Sequence, residues 1–166
     1  MDLGKFEHFP DTAQLWIYGF AKMLGVHDKR LIEERLNTFL KEWASHGDPV
    51  RGAYDIVYDR FVVITGACDS GISGCAIDSS VEPIKHLREA HGLDGLDRDL
   101  VFFRNDTGEI EAIGRTFFKK SVACGLAGPE TPVFDTTLQT LGDLRAGRFE
   151  RRFADCWHAR AFSSST

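Results

Sequence analysis

Cys75 is the residue whose neighbours best suit nucleophilic chemistry. It lies in a Gly- and Ser-rich stretch, residues 66–80, between a predicted strand and a predicted helix. The partial positive charge at a helix N-terminus stabilises a thiolate, the nucleophilic form of cysteine. A nucleophile also needs polar partners, so the candidate catalytic residues are Cys75, Asp78 and His158, with Ser79 as a further assistant. A small buried thiol is the commoner role of a free cysteine and is the favoured interpretation.

The same stretch has the composition of an anion-binding loop. Glycines let backbone amides converge on an anion, and a helix dipole adds to the attraction. The candidate ligand-binding residues are Gly71, Ser73, Gly74, Ser79 and Ser80, and the partner that they suggest is a small anionic ligand. The competing and favoured interpretation is that Asp78 or Ser79 caps the helix and satisfies the same amides internally.

The cysteine spacing does not favour a metal site. Cys68 and Cys75 are seven residues apart and Cys156 and His158 are two apart, whereas structural zinc sites use closely spaced pairs of ligands. We expect no metal and no cofactor. The cysteines are spread along a chain long enough to form a core, so we expect free thiols rather than disulfides.

Several short motifs of the chain occur together in one protein family. They are the run SGCAIDSSV at 73–81, WIY at 16–18, the spaced residues Trp43, His46 and Gly47, and the pair Trp157-His158. With these motifs the chain resembles a family of small uncharacterised bacterial proteins, whose members often carry the automatic label "ABC transporter ATPase". The resemblance spans most of the chain, and it implies no established fold, activity or catalytic residue.

The chemistry of phosphate binding argues against the activity in that label. A Walker A loop needs a lysine before its Ser or Thr to pair with the β- and γ-phosphate oxygens. Gly66 and Gly71 have the glycine spacing of such a loop and Ser73 supplies the hydroxyl, but Ile72 stands in the lysine position. We therefore expect no ATPase activity of this type.

Composition and charge narrow the class of protein further. The 166 residues carry a net charge of −5, which makes a nucleic-acid partner unlikely. No apolar run approaches the roughly 18 residues of a membrane span, and the N-terminus lacks the basic and apolar regions of a signal peptide. These observations predict a cytoplasmic protein with no membrane partner.

Hydrophobic periodicity predicts the elements that position these residues. It indicates strands at 14–20, 50–57, 61–65, 100–104 and 109–113, and helices at 28–46 and 79–90. Gly47 is expected to end the first helix. Ser79 and Glu82 predict a capping box at the start of the second, and Pro83 must lie in its first turn, where its missing N–H is tolerated.

This order of elements resembles the ferredoxin-like βαββαβ arrangement, an α+β fold with helices on one face of an antiparallel sheet. We treat residues 1–166 as a single domain. The strands are apolar on both faces, so the second face also needs cover. The C-terminal extension is the simplest candidate, with helices at 116–124 and within 138–157 and an extended piece at 132–135. A homodimer partner or a ligand is the alternative.

Three functions remain open from the sequence. The leading expectation is a small-ligand-binding or interaction module with its site at residues 66–80. One alternative is an enzyme with Cys75 as nucleophile, and the other is a structural or dimerising protein without a small-molecule site. A cleft lined by Cys75 and His158 would favour the enzyme, whereas a loop whose polar groups are satisfied internally would favour a structural role.

Overall fold

The computed structural model describes residues 3–162, which form nine strands, six α-helices and two short 3₁₀ helices. The strands are β1 (Gln14–Gly19), β2 (Ala44–Ser45), β3 (Asp48–Pro49), β4 (Arg51–Val57), β5 (Phe61–Ala67), β6 (Leu100–Arg104), β7 (Ile110–Gly114), β8 (Pro132–Phe134) and β9 (Glu150–Arg152). The helices are α1 (Val26–Glu42), α2 (Gly74–Ser79), α3 (Glu82–His91), α4 (Arg115–Ala123), α5 (Leu141–Arg145) and α6 (Trp157–Phe162). The α+β class expected from the sequence is confirmed.

The first sheet is antiparallel, with the order β1-β5-β4. All seven residues of β5 are buried, as an unbroken apolar run between two covered faces requires. Strands β4 and β5 form the predicted hairpin, and its turn places Tyr58 and Asp59 at positive φ. Helices α1 and α3 cover one face, where Ile32, Leu36 and Leu87 are fully buried.

The C-terminal part of the chain covers the other face of this sheet, as predicted. The Phe61 ring lies about 5 Å, centroid to centroid, from those of Phe102, Phe134 and Phe149. Aromatic contacts of this kind add to the stability gained by burying the rings. Both faces of the first sheet are thus closed within a single chain.

The ferredoxin-like order is not confirmed, because β6 belongs to a second sheet with the order β7-β6-β8-β9. A Cβ atom at Gly19 of β1 would lie 2.4 Å from the Phe102 ring of β6. Strand β6 therefore packs its side chains closely against β1 instead of extending the first sheet by hydrogen bonds. A third cluster, around Phe118 of α4, fills the space between the second sheet, α4 and α6.

The helix predicted at 79–90 begins later than predicted, at Glu82, and a separate short helix, α2, precedes it. Ser79 is the last residue of α2, and α3 begins at Glu82 with no side-chain cap, so the Ser79–Glu82 capping box does not form. The hydroxyls of Ser79 and Ser80 donate to carbonyls three residues earlier, a local bonding pattern that favours helix ends. Pro83 lies in the first turn of α3, as predicted.

The first helix also ends earlier than predicted. Helix α1 stops at Glu42, and Trp43 has extended backbone angles. The chain then forms the short β2–β3 hairpin, whose turn holds His46 and Gly47 at positive φ. This hairpin places Trp43 and Ser45 beneath residues 66–80, where both are buried.

Two further observations concern the whole described part of the chain. All four cysteines are free thiols, as expected. Within residues 3–162, no helix combines the length and the apolar character needed to cross a bilayer.

Candidate functional site

The indole of Trp43 fills the space beneath the 66–80 loop. Its Nε1 donates a 3.0 Å hydrogen bond to the carbonyl of Ala76. The ring packs so closely against Gly66 that a Cβ there would lie 2.5 Å from the indole, and at Gly52 it would lie 3.1 Å away. These glycines are explained by the close approach of a large side chain, with no ligand required.

Two serine hydroxyls, those of Ser45 and Ser73, form hydrogen bonds with backbone groups of the loop. The Ser45 hydroxyl accepts from the Ser73 amide and donates to the Gly71 carbonyl, both at 2.9 Å. The Ser73 side chain accepts from the Ala76 amide and so caps α2. The cap is therefore Ser73 and not Asp78 or Ser79, and the amides of Ser73 and Ala76 already have protein partners.

Cys75 lies in the first turn of α2 and is exposed. His158 is buried in α6, against the second sheet. The structure does not bring these two side chains into one cleft, and no base or cation is paired with the Cys75 thiol among residues 3–162. The catalytic arrangement weighed from the sequence has no geometric support at Cys75.

A cleft of about 790 Å³ lies beside the loop, along strand β1. All six residues of β1 line it, so the cleft faces the edge of the strand and not one of its two faces. The other walls come from the α2–α3 junction, residues 95–98, residues 136–139, and Trp157 with His158 of α6. The junction contributes Ile77, Asp78, Ser80 and Val81. We call this space the β1 cleft.

Three of the sequence-predicted site residues meet at the β1 cleft: Asp78, Ser80 and His158. The others lie outside its lining: Gly71, Ser73, Gly74, Cys75 and Ser79. The loop thus contributes only its C-terminal end to the cleft, while Gly66 at its start accommodates the Trp43 indole.

His158 is 97% buried by surface area, yet it lines the β1 cleft. Its Nδ1 lies 3.1 Å from the Cys156 thiol. Among residues 3–162, the fully enclosed side-chain nitrogens that lack a partner are Arg35 Nε and Arg151 Nε. His158 Nε2 has no bonded partner there and is not one of these, so it retains some solvent access on a residue that lines the cleft. Burial lowers the pKa of His158 to about 4, and nearby Arg115 and Arg151 act in the same direction, whereas Asp135 opposes them. The ring is neutral at pH 7.

Two arginines line the cleft from adjoining segments, since the Arg115 amide donates to the carbonyl of Asp99, the residue after Arg98. Arg98 is close enough to Tyr18 to influence its pKa, and the Arg115 guanidinium lies 5.8 Å from the Trp157 ring centroid. Neither has a carboxylate within 4 Å among the described residues, although most other arginines there are paired. Unpaired guanidinium groups in a concave site are suited to carboxylate or phosphate binding.

The remaining polar groups of the cleft include a half-buried phenol and two carboxylates. Burial raises the pKa of Tyr18 to about 12, while a hydrogen bond with Ser80 and the charge of Arg98 oppose that rise. Tyr18 is thus a neutral hydroxyl at pH 7. Asp78 and Asp97 also line the cleft, and Asp97 accepts a hydrogen bond from the backbone of Asp99.

Trp157 fixes the α6 wall. Its Nε1 donates to Asp135 Oδ1 at 3.1 Å, and its ring stacks on His158 at a centroid distance of 3.9 Å. Asp135 Oδ1 also accepts from the amide and the hydroxyl of Thr137. Because these groups hold one another, the aromatic wall is positioned before any ligand arrives.

Sequence reasoning missed Arg98, Arg115 and Tyr18. Arg115 carried one usable signal, since it is the first residue of α4, where a positive charge opposes the helix dipole. A residue that breaks a local rule without structural compensation points to function. Arg98, between two aspartates in a loop, carried no such signal.

The chemistry of this set suits binding better than metal chemistry. No group of three or more His, Cys, Asp or Glu residues is placed to hold a metal ion within residues 3–162. In comparisons with protein-family models, curated proteins and solved structures, nothing matches this chain.

Proposed function

We propose that the protein binds a small organic anion, bearing a carboxylate or a phosphate, in the β1 cleft. The observation that carries the proposal is the pair Arg98 and Arg115, two guanidinium groups at one cleft without ion-pair partners in the described chain. Guanidinium groups bind planar or tetrahedral oxyanions through paired hydrogen bonds.

The size and lining of the cleft support a ligand of metabolite size. Small-molecule sites enclose about 300–1,000 Å³ and combine an apolar lining with a few polar groups. The β1 cleft has a volume of about 790 Å³, and Ile17, Leu100 and Phe102 contribute apolar surface next to its polar groups.

His158 supplies a second kind of recognition. Being neutral, the ring offers its Nε2 as a hydrogen-bonding atom without adding a charge. A ligand group that bonds to this nitrogen gains a hydrogen bond at a partly enclosed site. Tyr18, on β1, adds a neutral hydroxyl.

A thermal-shift screen of a metabolite library tests this proposal, because a ligand that binds only the folded state raises the apparent melting temperature. Ligands that stabilise the protein are then titrated calorimetrically into wild type, Arg98→Ala and Arg115→Ala. Loss of one guanidinium–oxyanion bond is expected to weaken binding by about tenfold or more.

Arg88→Ala is the matched control, since Arg88 is exposed on α3 and lies outside the cleft. It is expected to bind as wild type does. The proposal fails if the library yields no stabilising anion, or if the anions that bind do so equally well to all four proteins.

A further inference from the structure

Strand β1 has one open edge, and the β1 cleft runs along it. On one side β1 pairs with β5 over its full length, from Gln14–Gly66 to Gly19–Phe61. On the other side its pairing consists of a single bridge between Gln14 and Thr140. Beyond that bridge the edge borders the cleft, which the whole of β1 lines.

The hydrogen-bond pattern shows which backbone groups face this opening. In an antiparallel pair, alternate residues bond to the partner strand while those between them point away. Phe20, just after β1, donates to Arg60, next to β5, whereas Leu15 donates outward to Gln139. By this alternation Ile17, two residues after Leu15, directs its N–H and C=O away from β5 and towards the cleft.

The chain that begins to pair with this edge turns away after one bridge. Leu141 donates to Ala13 and Leu15 donates to Gln139, which are the two bonds of the bridge. The amide of Thr137, which would continue the pairing past Leu15, instead bonds to the Asp135 side chain. Residues 136–139 therefore lie across the cleft from β1, and the cleft separates the two segments.

The charges in the cleft determine what kind of chain fits this edge. An added strand satisfies the open backbone groups by main-chain hydrogen bonds, and its side chains supply specificity. Arg98 and Arg115 line the same opening and lack ion-pair partners among the described residues. An incoming chain with a carboxylate is complementary to the open edge and to the two guanidinium groups. Asp78 and Asp97 also line the cleft, and Asp97 already accepts from the Asp99 amide, so the complementarity lies with the two arginines and not with the net charge of the cleft.

We infer that the β1 cleft binds an extended peptide that bears a carboxylate and pairs with β1 as an added strand at Ile17. The inference rests on the proposed function and deepens it, since the carboxylate of the peptide is the organic anion. The carboxylate belongs either to an acidic side chain or to a C-terminus, and both sources present the same chemistry to an arginine.

A displayed library of random peptides provides the probe. Six residues of β1 line the cleft, and peptides of about eight residues span such a strand at about 3.3 Å per residue. Selection on wild type is expected to enrich peptides with Asp, Glu or a free C-terminus, and Arg98→Ala and Arg115→Ala are expected to bind them at least about tenfold more weakly. Arg88→Ala is again the control. Amidating the C-terminus of a selected peptide tells the two carboxylate sources apart.

Backbone pairing is tested on the peptide and on the protein. Two versions of a selected peptide are made, one N-methylated at its odd-numbered residues and the other at its even-numbered residues. Because only alternate residues of an added strand bond to β1, one version is expected to bind at least about tenfold more weakly and the other nearly as well as the unmodified peptide. In nitrogen-15-labelled protein, hydrogen exchange at the Ile17 amide is expected to slow when the peptide binds.

The two proposals fail in different ways. If no peptide is enriched, or if bound peptides leave Ile17 exchange unchanged and tolerate both methylation sets equally, the strand-addition inference is wrong. Arginine-dependent binding of small anions would then still support the proposed function. If neither peptides nor small anions bind, both proposals are wrong.

Discussion

The Nδ1 atom of His158 lies 3.1 Å from the Sγ atom of Cys156, two residues earlier in the chain. Burial raises the pKa of this thiol, and its Sγ also lies 3.4 Å from the Phe153 carbonyl. Cys156 therefore remains a neutral thiol that orients the His158 ring. Because one ring nitrogen is engaged inside the protein, the other is the atom available to the cleft.

This arrangement predicts acid-sensitive stability. Burial holds the pKa of His158 at about 4, against 6.5 for an ordinary histidine. Between these values the unfolded chain binds a proton that the folded chain does not, so the free energy of unfolding falls as the pH falls, by at most about 1.4 kcal/mol per pH unit. Urea unfolding at several pH values measures this slope.

His158→Gln is expected to reduce that slope, because glutamine does not titrate. His86→Gln, on the exposed surface of α3, serves as control and is expected to retain the wild-type slope. If His158→Gln and wild type lose stability in parallel below pH 6.5, His158 is not a buried neutral group.

Gly66→Ala is expected to destabilise the protein through the Trp43 indole. The new Cβ would lie 2.5 Å from the ring, so the loop or α1 must shift. Overpacking of this kind costs about 1–3 kcal/mol. Gly74→Ala is the matched control, since nothing lies within 4 Å of its added Cβ. Equal free energies of unfolding for the two variants would contradict the packing described here.

Ser45→Ala tests the loop's internal hydrogen bonds. The substitution leaves the Ser73 amide and the Gly71 carbonyl without their side-chain partner. Loss of a hydrogen bond between part-buried groups costs about 0.5–1.5 kcal/mol, and hydrogen exchange at the Ser73 amide is expected to accelerate. Ser70→Ala, at an exposed position of the same loop, is expected to change the free energy of unfolding much less. A Ser45→Ala protein as stable as Ser70→Ala would show that the loop does not depend on this hydroxyl.

Cys75 is expected to react as an ordinary exposed thiol. Cys75 and Cys124 are both exposed, so iodoacetamide at pH 7 is expected to modify them at similar rates and to modify the buried Cys156 only after unfolding. Peptide mass mapping over time measures the three rates. A Cys75 rate many times that of Cys124 would revive the nucleophile hypothesis.

The sequence predicts the local elements well and their partners less well. The alternation of β1, the β4–β5 hairpin and the apolar stripe of α1 are local patterns, and each appears in the structure close to its expected bounds. The partner of β6 depends on the fit of Phe102 against Gly19, which is a non-local contact. The break between α2 and α3 depends on serine hydroxyls that bond backward, and periodicity alone does not distinguish them from caps.

The candidate site was anticipated only in part, for a similar reason. The sequence marks Asp78, Ser80 and His158 only as separate candidates, and the fold places all three at the β1 cleft. Arg98 and Arg115 flank the end of the β6–β7 hairpin where Leu100 pairs with Gly114, but neither belongs to a motif that marks it as a site residue. The Gly- and Ser-rich neighbours of Cys75 suggest a reactive thiol, whereas its exposure and its position outside the cleft lining are properties of the fold.

The most direct test of the β1 cleft as the binding site is a nuclear magnetic resonance titration that follows the indole N–H signals of Trp16, Trp43 and Trp157, assigned by Trp→Phe substitutions. Trp157 lines the cleft, whereas Trp43 is buried under the 66–80 loop with its N–H bonded to Ala76. With the tightest anion or peptide from the screens, the Trp157 signal and the Ile17 amide are expected to shift while the Trp43 signal stays in place. A ligand that shifts Trp43 and the Cys75 amide but leaves Trp157 unchanged would place the site at the loop and contradict this account.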